Sequence, residues 1–188
     1  MRALRQAHRE GQAQGAPVRE PLYQGQAGRG QTLRRRLAPW VYGSGVLVYG
    51  IDRLTKVLAE DNLTDHSVKL IPGVLHLTYT TNPGGAFGLF GNAPYLFLAA
   101  TLVVCVAIVV ASVGVGHRLL AVGLGMVLGG ALGNLTDRIV RGSGFDGQVI
   151  DFIDFRIWPV FNLADAAIVI GAGLIVLSGF HRAPDPAS

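Results

Sequence analysis

The feature that most constrains this chain is a long gap in its charges. No Asp, Glu, Lys or Arg occurs between Lys69 and Arg118, and the second half of this interval, about 93–116, is apolar almost throughout. A helix of roughly 20 apolar residues can cross the ~30 Å hydrocarbon core of a bilayer. The gap therefore predicts a membrane-spanning helix, and the mean hydropathy of +0.41 is typical of membrane proteins.

Other stretches are also long and apolar enough to span a membrane. Together they predict four helices, at about 39–58, 93–116, 119–140 and 159–180. The predicted fold class is an all-α membrane protein with four transmembrane helices in a domain at 37–182. All but the second helix carry ionisable residues near one end, and such groups in membrane segments are costly and usually functional. These three helices are therefore where a site is expected.

The charges before the first helix predict the orientation. Residues 1–36 hold many arginines and few acidic residues, namely Arg2, Arg5, Arg9, Arg19, Arg29, Arg34, Arg35 and Arg36 against Glu10 and Glu20. Basic flanks stay in the cytoplasm, which places both termini inside and the loops at about 59–92 and 141–158 outside. We expect 1–36 to be a disordered, solvated arm and 183–188 a short cytoplasmic tail. A nucleic-acid-binding arm is the weaker interpretation, so no nucleic-acid partner is predicted.

The first outer loop is predicted to form a small extracytoplasmic β-cradle at about 66–90. From Val68 to Thr81, β-branched and aromatic residues alternate with polar ones, and Pro72-Gly73 interrupt the pattern as a turn would. The run from Asn82 to Gly88 follows, with several glycines where a backbone can come close to a ligand. The loop is expected to cover the outer surface as a lid or cradle.

Polar residues on three of the helices fall at one level, near the outer ends. They are Asp52, Arg53 and Lys56 on the first helix, Asn134, Asp137 and Arg138 on the third, and Asn162 and Asp165 on the fourth. Asp52 and Lys56 are four residues apart, so they share a face and can pair. The third and fourth helices both show Asn-x-x-Asp spacing, in which amides could hold neighbouring carboxylates by hydrogen bonds.

Most of these groups also have a purely structural interpretation. Arg53 can snorkel to the headgroups, Asp52 with Lys56 can be a structural ion pair, and Asp137 can pair with the adjacent Arg138. Asp165 differs, because a short carboxylate within an apolar helix cannot snorkel and has no cation in its own segment. Asp165 is therefore the strongest candidate for a functional group.

The loop before the fourth helix contains further acidic candidates. From Val149 to Phe155, apolar and acidic residues alternate, which fits a short strand or a tight interfacial turn with Asp151 and Asp154 on different faces. The pattern favours Asp151 only slightly, so both remain open. The single Cys105 lies within the second span, and the histidines show no metal-ligand spacing. Neither a thiol nucleophile, nor a metal, nor another cofactor is predicted.

From about Trp40 to Phe180 the chain resembles the bacterial lipoprotein signal peptidases, also called signal peptidase II. The motifs that carry the resemblance are, in order, Asp52-x-x-x-Lys56, Asn82-x-Gly84-x-Ala86-Phe87, Gly133-Asn134-x-x-Asp137-Arg138, Val149-Ile150-Asp151-Phe152 and Phe161-Asn162-x-Ala164-Asp165. There are two departures from the family pattern. Gly85 stands where the family usually has Ala, and the stretch from Arg138 to Asp151 is a few residues longer, with a glycine-rich tip.

The resemblance implies an aspartic endopeptidase of the bacterial cytoplasmic (inner) membrane that removes signal peptides from prolipoproteins. Cleavage would occur on the amino side of a diacylglyceryl-modified cysteine. Asp151 and Asp165 would be the catalytic residues, which decides between Asp151 and Asp154. The implied supporting and substrate-binding residues are Asn82, Gly84, Asn134, Asp137, Arg138, Asn162, Asp52 and Lys56. The implied partners are modified signal peptides and membrane lipids, and a monomer is expected.

Two carboxylates close together in a partly dehydrated site are expected to share a proton and raise one apparent pKa. Such a pair can activate a water as nucleophile, without an acyl-enzyme. The alternative is a small membrane carrier or lipid-binding protein with a carboxylate relay, but relays place charges near the midplane of the bilayer. A presenilin-like protease would need a Gly-x-Gly-Asp pattern, which the chain lacks.

Overall fold

The computed structural model describes residues 21–84, 94–142 and 147–180, with side chains from Leu37 onward except those of Pro94 and Phe97. The sheet, the apolar clusters and the polar network lie in the compact unit Arg34–Ser188; of the separate unit Met1–Leu33, only the helical backbone of 21–33 is described. The helices are α1 (Pro21–Leu63), α2 (Pro94–Ser112), α3 (Arg118–Val140) and α4 (Leu163–Phe180), and the strands are β1 (Val68–Ile71), β2 (Leu75–Asn82) and β3 (Val149–Asp154).

Helix α1 is longer than the sequence predicted. It begins at Pro21 rather than near Pro39, so the backbone of 21–36 is helical where disorder was expected. Proline suits a first helical turn, and the Ala, Gln and Arg that follow have favourable helix propensities. Residues 1–20, the remainder of the predicted arm, and 181–188, which include the predicted tail, lie outside the described residues.

The predicted helical fold with a small sheet is confirmed, whereas the count of four spans stays a prediction. In the described part of the chain, α3 and α4 have the length and apolarity of a membrane span, and α2 contributes the shorter apolar stretch Leu98–Ser112. Helix α1 carries a run of charged residues at its C-terminal end, from Asp52 to Asp61, which lowers its apolarity.

The sheet is three-stranded and antiparallel, in the order β1-β2-β3. Strands β1 and β2 form the predicted cradle, although 85–90 lie outside the described residues. Strand β3 comes from the second outer loop, where the sequence left a strand or a turn open. Its register pairs Asp151 with Thr80 and Asp154 with His76. The sheet therefore joins the segment between α1 and α2 to the segment between α3 and α4, and it fixes the position of Asp151.

Helix α3 lies at the centre, and its glycines allow two neighbours to come close. A Cβ on Gly129 would lie 2.9 Å from the Cβ of Val48 on α1, and a Cβ on Gly123 would lie 2.9 Å from the carbonyl oxygen of Gly171 on α4. These contacts are closer than side chains tolerate, so glycine is required for this helix spacing.

Two apolar clusters stabilise the two ends of the bundle. One joins α1, α2 and α3 and consists of Val41, Ile108, Val115, Ala121, Leu124 and Leu128. The other joins the C-terminal end of α1 to β3 and consists of Ala59, Leu63, Ile150 and Phe152. The polar residues singled out in the sequence lie near the second cluster, where the sheet meets the helices.

Candidate active site

Asp165 is held by the N-terminus of its own helix. Asn162 precedes the first residue of α4, and its Oδ1 accepts the backbone N–H of Asp165 at 2.9 Å. In return, Asp165 Oδ2 accepts the backbone N–H of Asn162 at 3.3 Å. This reciprocal pair is a capping box, which satisfies amides that would lack partners in the first turn. The carboxylate of Asp165 is thereby turned back toward the start of α4.

Asp151 lies in β3 and is almost fully buried, with 2% of its surface exposed. Its Oδ1 accepts Nδ2 of Asn162 at 2.6 Å, and its Oδ2 accepts Nδ2 of Asn82, the last residue of β2, at 3.1 Å. Asn162 therefore bonds to both Asp151 and Asp165. One amide residue links the two carboxylates.

Backbone hydrogen bonds join the segment before α4 to β3. The carbonyl oxygen of Phe161 accepts the N–H groups of Phe152 at 3.0 Å and Ile153 at 2.8 Å, and the N–H of Phe161 donates to Ile153 O at 3.1 Å. These bonds place Asn162, the next residue, beside Asp151. The link between strand and helix is thus built from main-chain groups and depends little on side-chain identity.

The two carboxylates are electrostatically coupled. Burial, and next the negative charge of Asp165, raise the pKa of Asp151 from its ordinary 3.8 to about 6. The hydrogen bonds from Asn82 and Asn162 act in the opposite direction, because they stabilise the ionised form. Asp151 therefore holds a proton at a higher pH than an ordinary aspartate.

Asp154 lies in a different environment. Its Oδ1 accepts the backbone N–H of Arg156 at 2.7 Å, and its Oδ2 accepts the guanidinium of Arg156 at 3.0 Å. These bonds, the backbone one first, lower the pKa of Asp154. Of the two aspartates that the sequence left open, it is Asp151 that the structure places on the network of Asp165.

Asn134, on α3, connects Asp165 to a buried cation. Its Nδ2 donates to Asp165 Oδ1 at 2.8 Å. Its Oδ1 accepts Lys56 Nζ at 2.8 Å and Asn162 Nδ2 at 3.2 Å. The predicted pairing of amides with carboxylates is therefore present, and it runs between elements: the asparagine of α3 bonds to the aspartate of α4.

Lys56 is fully buried between two carboxylates, Asp52 Oδ2 at 3.0 Å and Asp137 Oδ2 at 2.9 Å. The predicted pairing of Asp52 with Lys56 is confirmed. Asp52 also accepts, through Oδ1, the backbone N–H of Ala164 at 3.1 Å. A carboxylate of α1 thus bonds to the first turn of α4, one residue before Asp165.

Of the structural interpretations of Arg53, the structure shows an ion pair within the bundle. Its guanidinium bonds to Asp137 Oδ1, and only 22% of its side chain is exposed. The sequence interpretation missed Arg141, which contacts Asp137 at 3.5 Å and forms a bidentate pair with Glu60 at 2.6 and 2.7 Å. The four-residue spacing of Asp137 and Arg141 was the available signal. Asp137 therefore pairs with cations of α1 and with Arg141, which follows the last residue of α3.

Arg138 connects α3 to the segment after β2 and to the segment before β3. Its Nη1 donates to Pro83 O at 3.4 Å and to Gly147 O at 3.5 Å. Gly84 has φ of +149° and donates its N–H to Asn82 Oδ1 at 3.0 Å, an arrangement that favours glycine. That bond leaves Nδ2 of Asn82 facing Asp151. Gly85 and residues 143–146 of the glycine-rich tip, the two departures noted in the sequence, lie outside the described residues.

An apolar groove of about 530 Å³ opens beside the carboxylates, and Asp165 contributes to its wall. Its other lining residues are Phe155, Ile157, Trp158, Phe161, Ala166, Val169 and Ile170. Phe155 and Phe161 stack with ring centroids 6.0 Å apart. The groove therefore combines an apolar surface with one carboxylate, that of Asp165.

Comparison with known proteins gives a consistent result. The family model described as signal peptidase (SPase) II matches residues 45–181. A lipoprotein signal peptidase of Desulfitobacterium hafniense (strain DSM 10664 / DCB-2) is 45% identical over 135 residues, covering 70% of this chain and 86% of that protein. One of Rhodococcus jostii (strain RHA1) is 42% identical over 152 residues, covering 78% and 74%.

The fold is similar to that of a solved bacterial membrane enzyme, determined by the in meso method at 2.3 Å resolution. The TM-score is 0.66 and the sequence identity 27%, over 79% of this chain and 94% of that one. A second such structure, at 1.9 Å resolution, gives a TM-score of 0.65 and 28% identity, over 76% and 94% of the two chains.

Proposed function

The chain belongs to the signal peptidase II family, and we propose that Asp151 and Asp165 are the catalytic pair with which it works. Members of this family are membrane proteases that cleave signal peptides from prolipoproteins, and this is the activity of the chain. The resemblance noted in the sequence is confirmed, and the alternative of a carrier finds no support. The finer proposal concerns the bond cleaved, the residues and the nucleophile.

The observation that carries the proposal is the position of Asn162 between the two carboxylates. Its Nδ2 donates to Asp151 at 2.6 Å, and its backbone N–H donates to Asp165 at 3.3 Å. Two carboxylates held by one residue cannot both be ionised cheaply, so they share a proton. Asp151 is its principal site, because burial and the charge of Asp165 raise the pKa of Asp151 to about 6.

The shared proton gives the two carboxylates different roles. Asp165, ionised and hydrogen-bonded by Asn134, accepts a proton from a water that attacks the scissile carbonyl carbon. Asp151, protonated, donates a hydrogen bond to the carbonyl oxygen and later helps to protonate the leaving amine. The carbon–nitrogen bond breaks without a covalent enzyme intermediate. Recovery of a covalent enzyme–peptide adduct from a quenched reaction would exclude this mechanism.

The surroundings fit a substrate that is part peptide and part lipid. Asn82, Gly84 and Arg138 lie where an extended peptide could meet the outer loops, so they are proposed to bind the substrate backbone. The apolar groove beside Asp165 is proposed to receive an apolar part of the substrate, in keeping with a diacylglyceryl-modified cysteine next to the cleaved bond. The remaining polar residues, Asp52, Lys56 and Asp137, are proposed to support the pair through Asn134 and the first turn of α4.

Both termini are proposed to be cytoplasmic, with the site at the outer face of the membrane. The basic residues before α1 support this orientation. The polar groups lie at the C-terminal ends of α1 and α3 and at the start of α4, so they share one end of the bundle. Reporters fused to each terminus, which fluoresce only in the cytoplasm, test the orientation; a dark reporter at either terminus would contradict it.

Cleavage of a prolipoprotein precursor carrying the diacylglyceryl-modified cysteine tests the catalytic assignment. We expect Asp151→Asn and Asp165→Asn each to lower the rate by roughly 10²- to 10⁴-fold, the range for loss of general acid–base catalysis. Asp154→Asn is the matched control, since this aspartate lies in the same strand and pairs with Arg156. The assignment fails if the Asp154 variant is inactive or if either of the other two retains the wild-type rate.

A further inference from the structure

Lys56 uses every hydrogen-bond donor that it has. Its Nζ lies 2.8 Å from Asn134 Oδ1, 2.9 Å from Asp137 Oδ2 and 3.0 Å from Asp52 Oδ2, and its side chain is fully buried. An ammonium group carries three donors and no acceptor. Each of its three partners must therefore present an oxygen. A carboxylate presents an oxygen in either orientation, whereas the amide of Asn134 does so in only one.

The amide of Asn134 can face Lys56 in only one orientation. With its oxygen toward Lys56, its nitrogen is turned to Asp165 Oδ1 at 2.8 Å. The opposite orientation would bring an NH₂ group against the ammonium and a carbonyl oxygen against the carboxylate. Both contacts would then fail inside the protein, where unsatisfied polar groups are costly. Lys56 thus determines which end of the Asn134 amide faces Asp165.

Asn162 follows the same logic with a different fixed donor. Its Oδ1 accepts the backbone N–H of Asp165 at 2.9 Å, so its Nδ2 is turned to Asp151. A main-chain group sets this second amide, and no side-chain substitution removes that group. Among the described residues, both donors at the oxygen of Asn134 are side chains, Lys56 Nζ at 2.8 Å and Asn162 Nδ2 at 3.2 Å.

We propose that Lys56 is a positioning residue of the cleavage reaction, which fixes the Asn134 amide so that its N–H groups face Asp165. The inference rests on the proposed catalytic role of Asp165. Lys56 touches no reacting atom and acts through Asn134. It holds a hydrogen-bond donor on the carboxylate that activates water, so it keeps that carboxylate oriented for this step.

Charge balance determines how the idea is tested. Lys56 and Arg53 together balance Asp52 and Asp137, so Lys56→Met alone leaves an uncompensated buried carboxylate and endangers folding. The double variant Asp52→Asn with Lys56→Met restores the balance. Asn at position 52 can still accept the backbone N–H of Ala164, which Asp52 now accepts at 3.1 Å. The wild type, in which the buried charges are also balanced, is the matched reference.

The experiment measures kcat and KM with the diacylglyceryl-modified precursor, after tryptophan fluorescence melting has shown that each variant is folded. Relative to the wild type, we expect the double variant to lower kcat by about 10- to 100-fold, the range for a lost hydrogen bond to an ionised group. KM should change less than threefold. Glu60→Gln, which breaks another ion pair between α1 and α3, should leave kcat within about twofold.

Repeating the comparison in an Asn134→Ala background separates positioning from general support. If Lys56 acts through Asn134, its removal there should change kcat by less than about threefold, since coupled residues are not additive. An equal loss in both backgrounds would overturn the proposal, and so would an unchanged kcat in the double variant. Full activity of Asp165→Asn would instead disprove the catalytic assignment, so the two failures are distinguishable.

Discussion

Replacing Asp151 by Asn tests the coupling of the carboxylates through stability rather than activity. The pKa of Asp151 is about 6 in the folded protein against an ordinary 3.8, chiefly because of burial and then the charge of Asp165. At about 1.4 kcal/mol per pKa unit, this difference corresponds to roughly 3 kcal/mol. The folded protein keeps the proton to a higher pH than the unfolded chain. The stabilisation that the protonated Asp151 gives the folded protein is therefore complete below pH 3.8 and is lost as the pH rises through about 6.

The Asn variant lacks this titration but has a cost of its own. Both carboxylate oxygens of Asp151 accept N–H groups, from Asn162 and Asn82. An amide at position 151 must turn its NH₂ group toward one of these donors, which costs about 1–3 kcal/mol at any pH. We therefore expect the free energy of unfolding of the wild type, minus that of Asp151→Asn, to fall by roughly 2–3 kcal/mol between pH 4 and pH 7. The pH-independent cost cancels in this change, which measures the energy of the coupled pair.

The assay is reversible unfolding in mixed micelles with an increasing fraction of denaturing detergent, followed by the fluorescence of Trp40 and Trp158. Asp154→Asn is the control with the opposite sign. Its partner Arg156 lowers the pKa of Asp154, so that carboxylate stabilises the folded state above its ordinary pKa and loses this effect as the pH falls. The corresponding difference for Asp154→Asn should rise with pH. A difference for Asp151→Asn that is constant or rises with pH would refute the electrostatic argument.

Other predictions follow from single contacts. Asn82→Ala removes a hydrogen bond that lowers the pKa of Asp151, so the basic limb of the pH profile of kcat/KM should move to higher pH; a shift to lower pH would contradict the assignment. Gly133→Ala would place its Cβ against Asp52 Oδ2, so we expect a loss of about 1–3 kcal/mol in unfolding free energy. Gly43→Ala, with no atom within 4 Å of its Cβ, should be neutral or stabilising by up to about 1 kcal/mol. Equal effects of the two substitutions would rule out the close approach to Asp52 as the cause of the loss.

Much of the polar network could be predicted because the spacing of its residues is local. Asp52 with Lys56 and Asn162 with Asp165 lie within one turn of a helix, and such pairs meet wherever the helix goes. The predicted depth of these residues in the membrane then indicated that the polar residues of the first, third and fourth helices lie close together. Asp165 could be singled out from its surroundings in the sequence, since an acidic side chain in an apolar helix needs partners from elsewhere.

The choice of Asp151 could not be reached in the same way. Residues 151 and 154 both alternate with apolar neighbours, and their environments differ through tertiary pairing: Asp151 lies opposite Thr80 and Asp154 opposite His76. The partners of Arg53 and Arg141 could not be predicted for a related reason. A flexible cation near a helix end can reach either the headgroups or a buried carboxylate, and only the position of Asp137 between them decides which.

The bond from Asn162 to both carboxylates has a consequence for how activity arises during biogenesis. Asp151 lies on β3, and its partner Asn82 lies at the end of β2. Asp165, on α4, is hydrogen-bonded by Asn134 of α3. A fragment that lacks any of these elements loses a hydrogen bond to one of the two aspartates. With Asp151 and Asp165 as the proposed catalytic pair, proteolytic activity is expected only of the finished assembly, and not of a nascent chain that already carries the same acidic residues.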